Sequence, residues 1–120
     1  MASDFDPGDL RILIDLLADR WTVPVLGALC AGNGTRRFND LRRDIPAVSQ
    51  KSLVVCLRRL EMHGLISRRV FTSGKLAVEY SVTTLGHTIE KPVEALLAWS
   101  RAHAAEVEAA KSVYMEQLNP

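Results

Sequence analysis

Ten basic side chains fall within one stretch of this chain, from Arg36 to Lys75: Arg36, Arg37, Arg42, Arg43, Lys51, Arg58, Arg59, Arg68, Arg69 and Lys75. The acids in the same stretch are Asp40, Asp44 and Glu61, so it carries +7 while the whole 120-residue chain is only +1. Guanidinium and ammonium groups gathered this densely bind phosphate, arginine doing so through a planar, bidentate fork. The expectation is one continuous electropositive ridge facing a polyanion.

Helical patterning inside that stretch points to DNA. Placed on a helix from Gln50 to His63, Leu53, Cys56, Leu57 and Leu60 share one side and face a core. Lys51, Val55, Arg58 and Met62 fall opposite, with Gln50, Ser52 and Val54 towards the edges. Such a helix suits the major groove: glutamine pairs bidentately with adenine, lysine or arginine reaches guanine, and an exposed valine packs on a thymine methyl. Ser49, Gln50, Lys51, Ser52, Val55 and Arg58 are therefore the expected base-reading set. Arg36, Arg37, Asn39, Arg42, Arg43, Arg59, Ser73 and Lys75 are expected on the DNA backbone, Lys75 from a hairpin tip, the alternative for any one arginine being a solvated side chain or an ion pair with Asp40 or Asp44. A basic helix face alone is often no more than a solvated face; the hairpin that follows it favours DNA.

Catalytic chemistry finds little support. His63, His87 and His103 are scattered, and His87 with Glu90 one turn on offers two ligands, short of a metal site. No phosphate-cradling glycine loop and no nucleophile signature occur. The chain is expected not to be an enzyme and to need no metal or cofactor.

The elements that would position the basic face read in order. An amphipathic helix spans Asp9 to Asp19, with Leu10, Leu13, Leu16 and Leu17 on one face and Asp9 as cap. Thr22 caps a second helix, which Gly32-Asn33-Gly34 ends. Arg36 to Phe38 reads as a sheet edge, and Asn39 caps a short helix from Asp40 to Asp44, closed by Pro46. Ser49 caps the reading helix and Gly64 ends it. Ile66 to Phe71 and Val78 to Val82 form a hairpin around Thr72-Ser73-Gly74-Lys75. Thr83 caps a segment helical from Leu85 to Leu118, kinked at Pro92 or divided in two. The fold class is mostly α with a small β-hairpin wing (α+β): a winged helix-turn-helix with extra amino- and carboxy-terminal helices. Residues 1–120 are expected to be a single winged-helix domain, 22–83 the DNA-binding core and 9–19 with 85–118 the dimerisation helices.

Size and composition agree with one globular domain, 48% apolar and 24% charged. No apolar run reaches the roughly 18 residues of a membrane span, and the acidic start MASDFDPGD is unlike a signal peptide. The expected location is the cytoplasm, with no membrane partner. Cys30 and Cys56 sit in apolar helical patterns and read as small buried hydrophobes.

Leu96, Ser100, His103, Val107, Ala110 and Tyr114 recur at steps of four and three, a loose heptad seam. A homodimer is expected, with Leu10, Leu13, Leu17, Leu96, Trp99, Val107 and Tyr114 at its interface. Two reading helices would then stand one DNA turn apart. The partners are double-stranded DNA and a second copy. Leucines, Trp99 and Tyr114 between the terminal helices leave room for a small-molecule effector as well.

The chain resembles the HxlR-type winged-helix regulators, a group related to the MarR regulators, over roughly residues 10 to 103. The matching residues are Asp19-Arg20-Trp21-Thr22, Arg37-Phe38-Asn39-Asp40-Leu41 and Ile45-Pro46. Then come Ser49, Leu53, Arg58, Leu60, Glu61, Gly64-Leu65-Ile66 and Arg68, followed by Val78-Glu79-Tyr80-Ser81-Val82-Thr83, Leu85-Gly86 and Trp99. The resemblance implies a dimeric DNA-binding transcriptional regulator whose terminal helices build the dimer and whose wings reach flanking DNA. A repressor is expected, since occluding a promoter needs no further surface. Three departures stand out. Asp6-Pro7-Gly8-Asp9 lies where many members carry a cysteine that some use for sensing, Lys75-Leu76-Ala77 replaces a wing that carries an arginine, and Ala47-Val48 stands where a glycine often precedes an apolar residue. The alternatives are a protein-interaction module that has lost DNA binding and a ligand-responsive sensor on the same fold.

Overall fold

The computed structural model describes residues 6–72 and 77–119. One 3-10 turn, Pro7–Asp9, leads into helix α1 (Leu10–Leu17) and then α2 (Thr22–Ala31). Strand β1 (Thr35–Arg37) runs directly into α3 (Phe38–Asp44), and a short turn leads to α4 (Gln50–Met62). Strands β2 (Ile66–Phe71) and β3 (Ala77–Val82) make the hairpin, followed by α5 (Thr84–His87) and α6 (Glu90–Leu118). The sheet is antiparallel in the order β1-β3-β2, so the edge expected near Arg36 lies against β3 and not against β2. This is the winged helix-turn-helix, α3-turn-α4 being the helix pair.

One core holds the reading helix in place. Val25, Leu26 and Leu29 of α2, Leu41 of α3, and Leu53, Cys56, Leu57 and Leu60 of α4 are all within 1% of complete burial. Ile45 and Val48, in the turn between α3 and α4, are buried with them, which fixes the angle between the two helices. Tyr80 of β3 closes the core from the sheet side. In register, Arg36, Tyr80 and Arg68 form one row and Arg37, Glu79 and Arg69 the next. Side chains alternate between faces along a strand, so the first row shares the core-side face with Tyr80 and the second points away.

Several local expectations hold in detail. Ser49 Oγ accepts the Ser52 amide at 3.0 Å, capping α4. Gly64, with φ +76°, turns the chain out of the helix. Thr83 Oγ1 accepts the Gly86 amide at 2.9 Å to start α5. Gly86 has a second role: a Cβ there would lie 2.0 Å from the Leu65 carbonyl oxygen, so only glycine allows this approach.

Three expected caps are corrected. Asp9 has helical backbone angles and caps nothing; Asp6 instead accepts the Gly8 amide at 2.9 Å. Thr22 lies inside α2 at 1% exposure, its hydroxyl buried without a hydrogen-bond partner among the described residues. The neighbouring turn is held by Asp19, whose carboxylate accepts the Trp21 amide at 2.8 Å. Asn39 is inside α3, which begins at Phe38; Arg37 ends β1 and occupies the cap position in extended backbone. Phe38 packs on the core, and α3 starts two residues earlier than a cap at Asn39 would set it.

At the termini, one of the two alternatives for the carboxy-terminal stretch holds, and the amino-terminal helix differs from the sequence reading. The carboxy-terminal stretch is two helices, broken at Thr88 and Ile89, with Pro92 in the first turn of α6 where its missing amide has no carbonyl to serve. Helix α1 is shorter than expected, and Leu16 is its one buried residue. Ile12, Leu13, Ile14 and Leu17 are 48–64% exposed. Val93 alone is buried in α6, while Leu96, Trp99, Val107, Val113, Tyr114, Met115 and Leu118 lie open. No helix among the described residues is long and apolar enough to cross a membrane.

Candidate nucleic-acid interface

Helix α4 presents the strip that its sequence implies. Its apolar side is buried, its first turn is fixed by Ser49, and Gln50, Lys51, Val55, Arg58 and Met62 are exposed, with Ser52 and Val54 half-buried beside them. Lys51, Arg42 and Arg58 make no ion pair among the described residues. A side chain on an anchored helix with no internal partner is available to an external anion.

The ten cations do not form the one continuous ridge expected from the sequence. Arg36 makes a bidentate pair with Asp44, at 3.0 and 2.8 Å, and packs over Gly32. It lines a hollow among α2, the α3-α4 turn and Leu97 of α6. Arg59 Nη1 donates to the Asp15 carbonyl of α1 at 3.0 Å. That oxygen is one of the last carbonyls of α1 and has no helical amide to accept, so Arg59 of α4 caps α1 and stands at its negative end. Arg43 pairs with Asp40, and Arg68 approaches Glu61 at 3.8 Å. Arg37 and Arg69 lie over the Phe71 ring at 5.8 and 4.7 Å on the outer side of the sheet. Ser73 and Lys75, expected at the backbone, lie outside the described residues.

What the fold does assemble is a narrower basic surface. A cleft of about 430 Å³ between α4 and the wing strands is lined by Val54, Arg58 and Glu61 of α4 and by Arg68, Val78 and Tyr80 of the wing strands, with Phe38 beside them. Phe38 and Val78 also line the adjoining hollow, which holds Arg37, Asn39 and Arg43. Arg58 and Arg68 thus border the cleft beside α4 together with Glu61, while Arg37 and Arg43 border the neighbouring hollow together with Asp40. Tyr80 at the floor has its phenol pKa raised by burial, Glu61 adding to the rise while Arg68 and Arg58 oppose it. The phenol stays protonated and can donate a hydrogen bond.

Arg68 and Val54 were missed as site residues by sequence reasoning. The signal for Arg68 lay in the strand alternation, which sets it on the same face as buried Ile66 and therefore towards α4 and Glu61. Phe71, whose ring orders two arginines, carried no signal without the sheet register.

The thiols are poor nucleophiles. Burial pushes Cys56 up to about 12, Asp19 adding to it. Cys30, half-buried rather than buried as expected, is raised by burial and then by Glu90 and Glu94. His87 and Glu90 pair with each other, and no group of three ligating side chains suits a metal among the described residues.

Comparison with known proteins gives the same reading. Residues 16–108 match the model of the HxlR-like helix-turn-helix family. The HTH-type transcriptional regulator YtfH of Escherichia coli is 39% identical over 97 residues, covering 81% of this chain and 75% of that protein. The solved structure of YtfH from Salmonella typhimurium superposes with a TM-score of 0.75 at 36% identity, covering 88% of this chain and 91% of the other. The redox regulator HypR in its reduced form superposes with a TM-score of 0.74 at 29% identity, covering 84% and 98%. Family, relatives and fold converge: the chain belongs to the HxlR-like helix-turn-helix family of DNA-binding transcriptional regulators.

Proposed function

We propose that the protein binds an inverted-repeat operator as a homodimer and represses transcription by occluding the promoter. The observation that carries this reading is the exposed strip of α4, anchored by four buried side chains and offering Lys51 and Arg58 without an internal partner. Ser49, Gln50, Lys51, Ser52, Val55 and Arg58 would meet base edges. Arg37, Asn39, Arg42, Arg43 and Arg68 would hold flanking phosphates, with Ser73 and Lys75 extending them at the wing. Arg36 and Arg59 leave the backbone set, because each is engaged inside the chain.

The second copy is supported by the open apolar surface of α1 and α6. Leu13, Leu17, Leu96, Trp99, Val107 and Tyr114 are each at least 41% exposed, and half-buried Leu10 adjoins them. Water-exposed apolar side chains repeated along two helices gain most from burial against another copy. A ligand-responsive form of the same activity is favoured by the hollow of about 640 Å³ beside α2. Leu97 of α6 reaches its rim, so a bound molecule would touch both the DNA-reading core and the helix assigned to dimerisation.

Selection of duplexes from a random pool, followed by sequencing, tests the function. The expected result is a two-fold symmetric consensus with half-sites one helical turn apart, about 34–36 Å. An asymmetric consensus would contradict the dimer, and unselected binding would contradict base reading by α4.

A further inference from the structure

A reading helix lying in the major groove is bounded by a phosphate ridge on each side, since the groove is only about 12 Å wide. The wing-side cleft supplies cations for one ridge. A second basic hollow, of about 540 Å³, lies along the opposite side of α4, where α1 turns into α2. Arg20, Trp21, Lys51, Ser52, Val55 and Arg59 line it. Arg20 lies outside the basic stretch of the sequence and has no part in the site described so far. Its guanidinium sits over the indole of Trp21, 5.3 Å from the ring centroid, which orders an exposed side chain and leaves its N–H edge open.

We infer that this hollow is a second DNA-backbone site, in which Arg20 grips a phosphodiester on the ridge away from the wing, beside the base-reading Lys51. The inference rests on the DNA-binding reading of α4 and adds a contact to it. Charge favours it: Arg20, Lys51 and Arg59 face one carboxylate, Asp19, which already accepts the Trp21 amide at 2.8 Å. Arg59 spends one N–H on the Asp15 carbonyl and keeps its charge beside the hollow. Val55, shared between the hollow and the exposed strip, makes the backbone site continuous with the base-reading surface. A helix held by cations on both flanks is fixed in rotation about its own axis, as base reading requires.

The test measures affinity against salt concentration for the full-length protein on its selected duplex and on a scrambled duplex of equal length. Variants are Arg20→Gln, Arg20→Lys and, as a charge control, Arg101→Gln, which alters an exposed residue of α6. Arg20→Gln should make the slope of log K against log salt shallower by about 0.9, one phosphate's worth, and weaken both duplexes roughly five- to tenfold. Arg20→Lys should restore the slope, which a purely structural stacking role would not, and Arg101→Gln should leave it unchanged. An Arg20→Gln slope equal to the wild type's would overturn the inference while leaving DNA reading by α4 intact. Wild-type protein with no salt-dependent binding would overturn both.

Discussion

Helices α4 and α6 were built under opposite rules. In α4, thirteen residues long, Leu53, Cys56, Leu57 and Leu60 are buried and the exposed side is mostly polar. In α6, twenty-nine residues long, one residue is buried, and the large apolar side chains face outward along most of its length. The core of α4 is within its own chain, so its orientation is set before any partner arrives. The outer part of α6 lacks such a core, and the most economical completion is a second copy. The contrast separates a helix whose exposed strip is proposed to meet DNA from a helix whose open apolar face is proposed to meet a second copy.

Three substitutions sharpen that contrast. Leu57→Ala in α4 should lower stability by about 2–5 kcal/mol, because it opens a cavity in a close-packed interior. Urea unfolding measures it, and a loss below about 1 kcal/mol would mean that α4 is not anchored as described. Trp99→Ala in α6 should weaken self-association by about 2 kcal/mol as an aromatic anchor. The same change should leave the stability of the dissociated chain within about 0.5 kcal/mol. Sedimentation equilibrium and low-concentration unfolding distinguish the two; equal losses in both would place Trp99 in the intrachain fold. Ser49→Ala removes the hydroxyl that accepts the Ser52 amide and should cost about 1 kcal/mol. Its effect on association should be nil, and a shift in the dimer constant would tie α4 to the subunit interface.

The same division explains what could be read from the chain. Periodicity located α4 almost to the residue, since four buried positions at helical spacing leave little choice of face. Ser49, Gly64 and Thr83 announced their boundaries through local chemistry, each acting within three residues or through its own φ. Caps failed at Thr22 and Asn39: Thr22 opens α2 as a buried residue of the helix itself, and α3 starts at core-packed Phe38, ahead of Asn39. The cations were the least legible. Arg36 finds Asp44 eight residues away, a pairing the sequence left open, and Arg59 finds the Asp15 carbonyl forty-four residues away, which only tertiary structure brings near. Arg20 escaped notice for the converse reason: it lies outside the basic stretch and reaches the reading helix only through the fold.

The most direct measurement is a hydroxyl-radical footprint on the selected duplex, comparing wild type with the Lys51→Ala, Arg58→Ala double variant. The expected result is two protected patches one helical turn apart for the wild type and none for the variant. The variant's thermal unfolding should change little, since exposed substitutions shift stability by only about 0.5 kcal/mol each. An unchanged footprint from the double variant would contradict the placement of the reading face on α4.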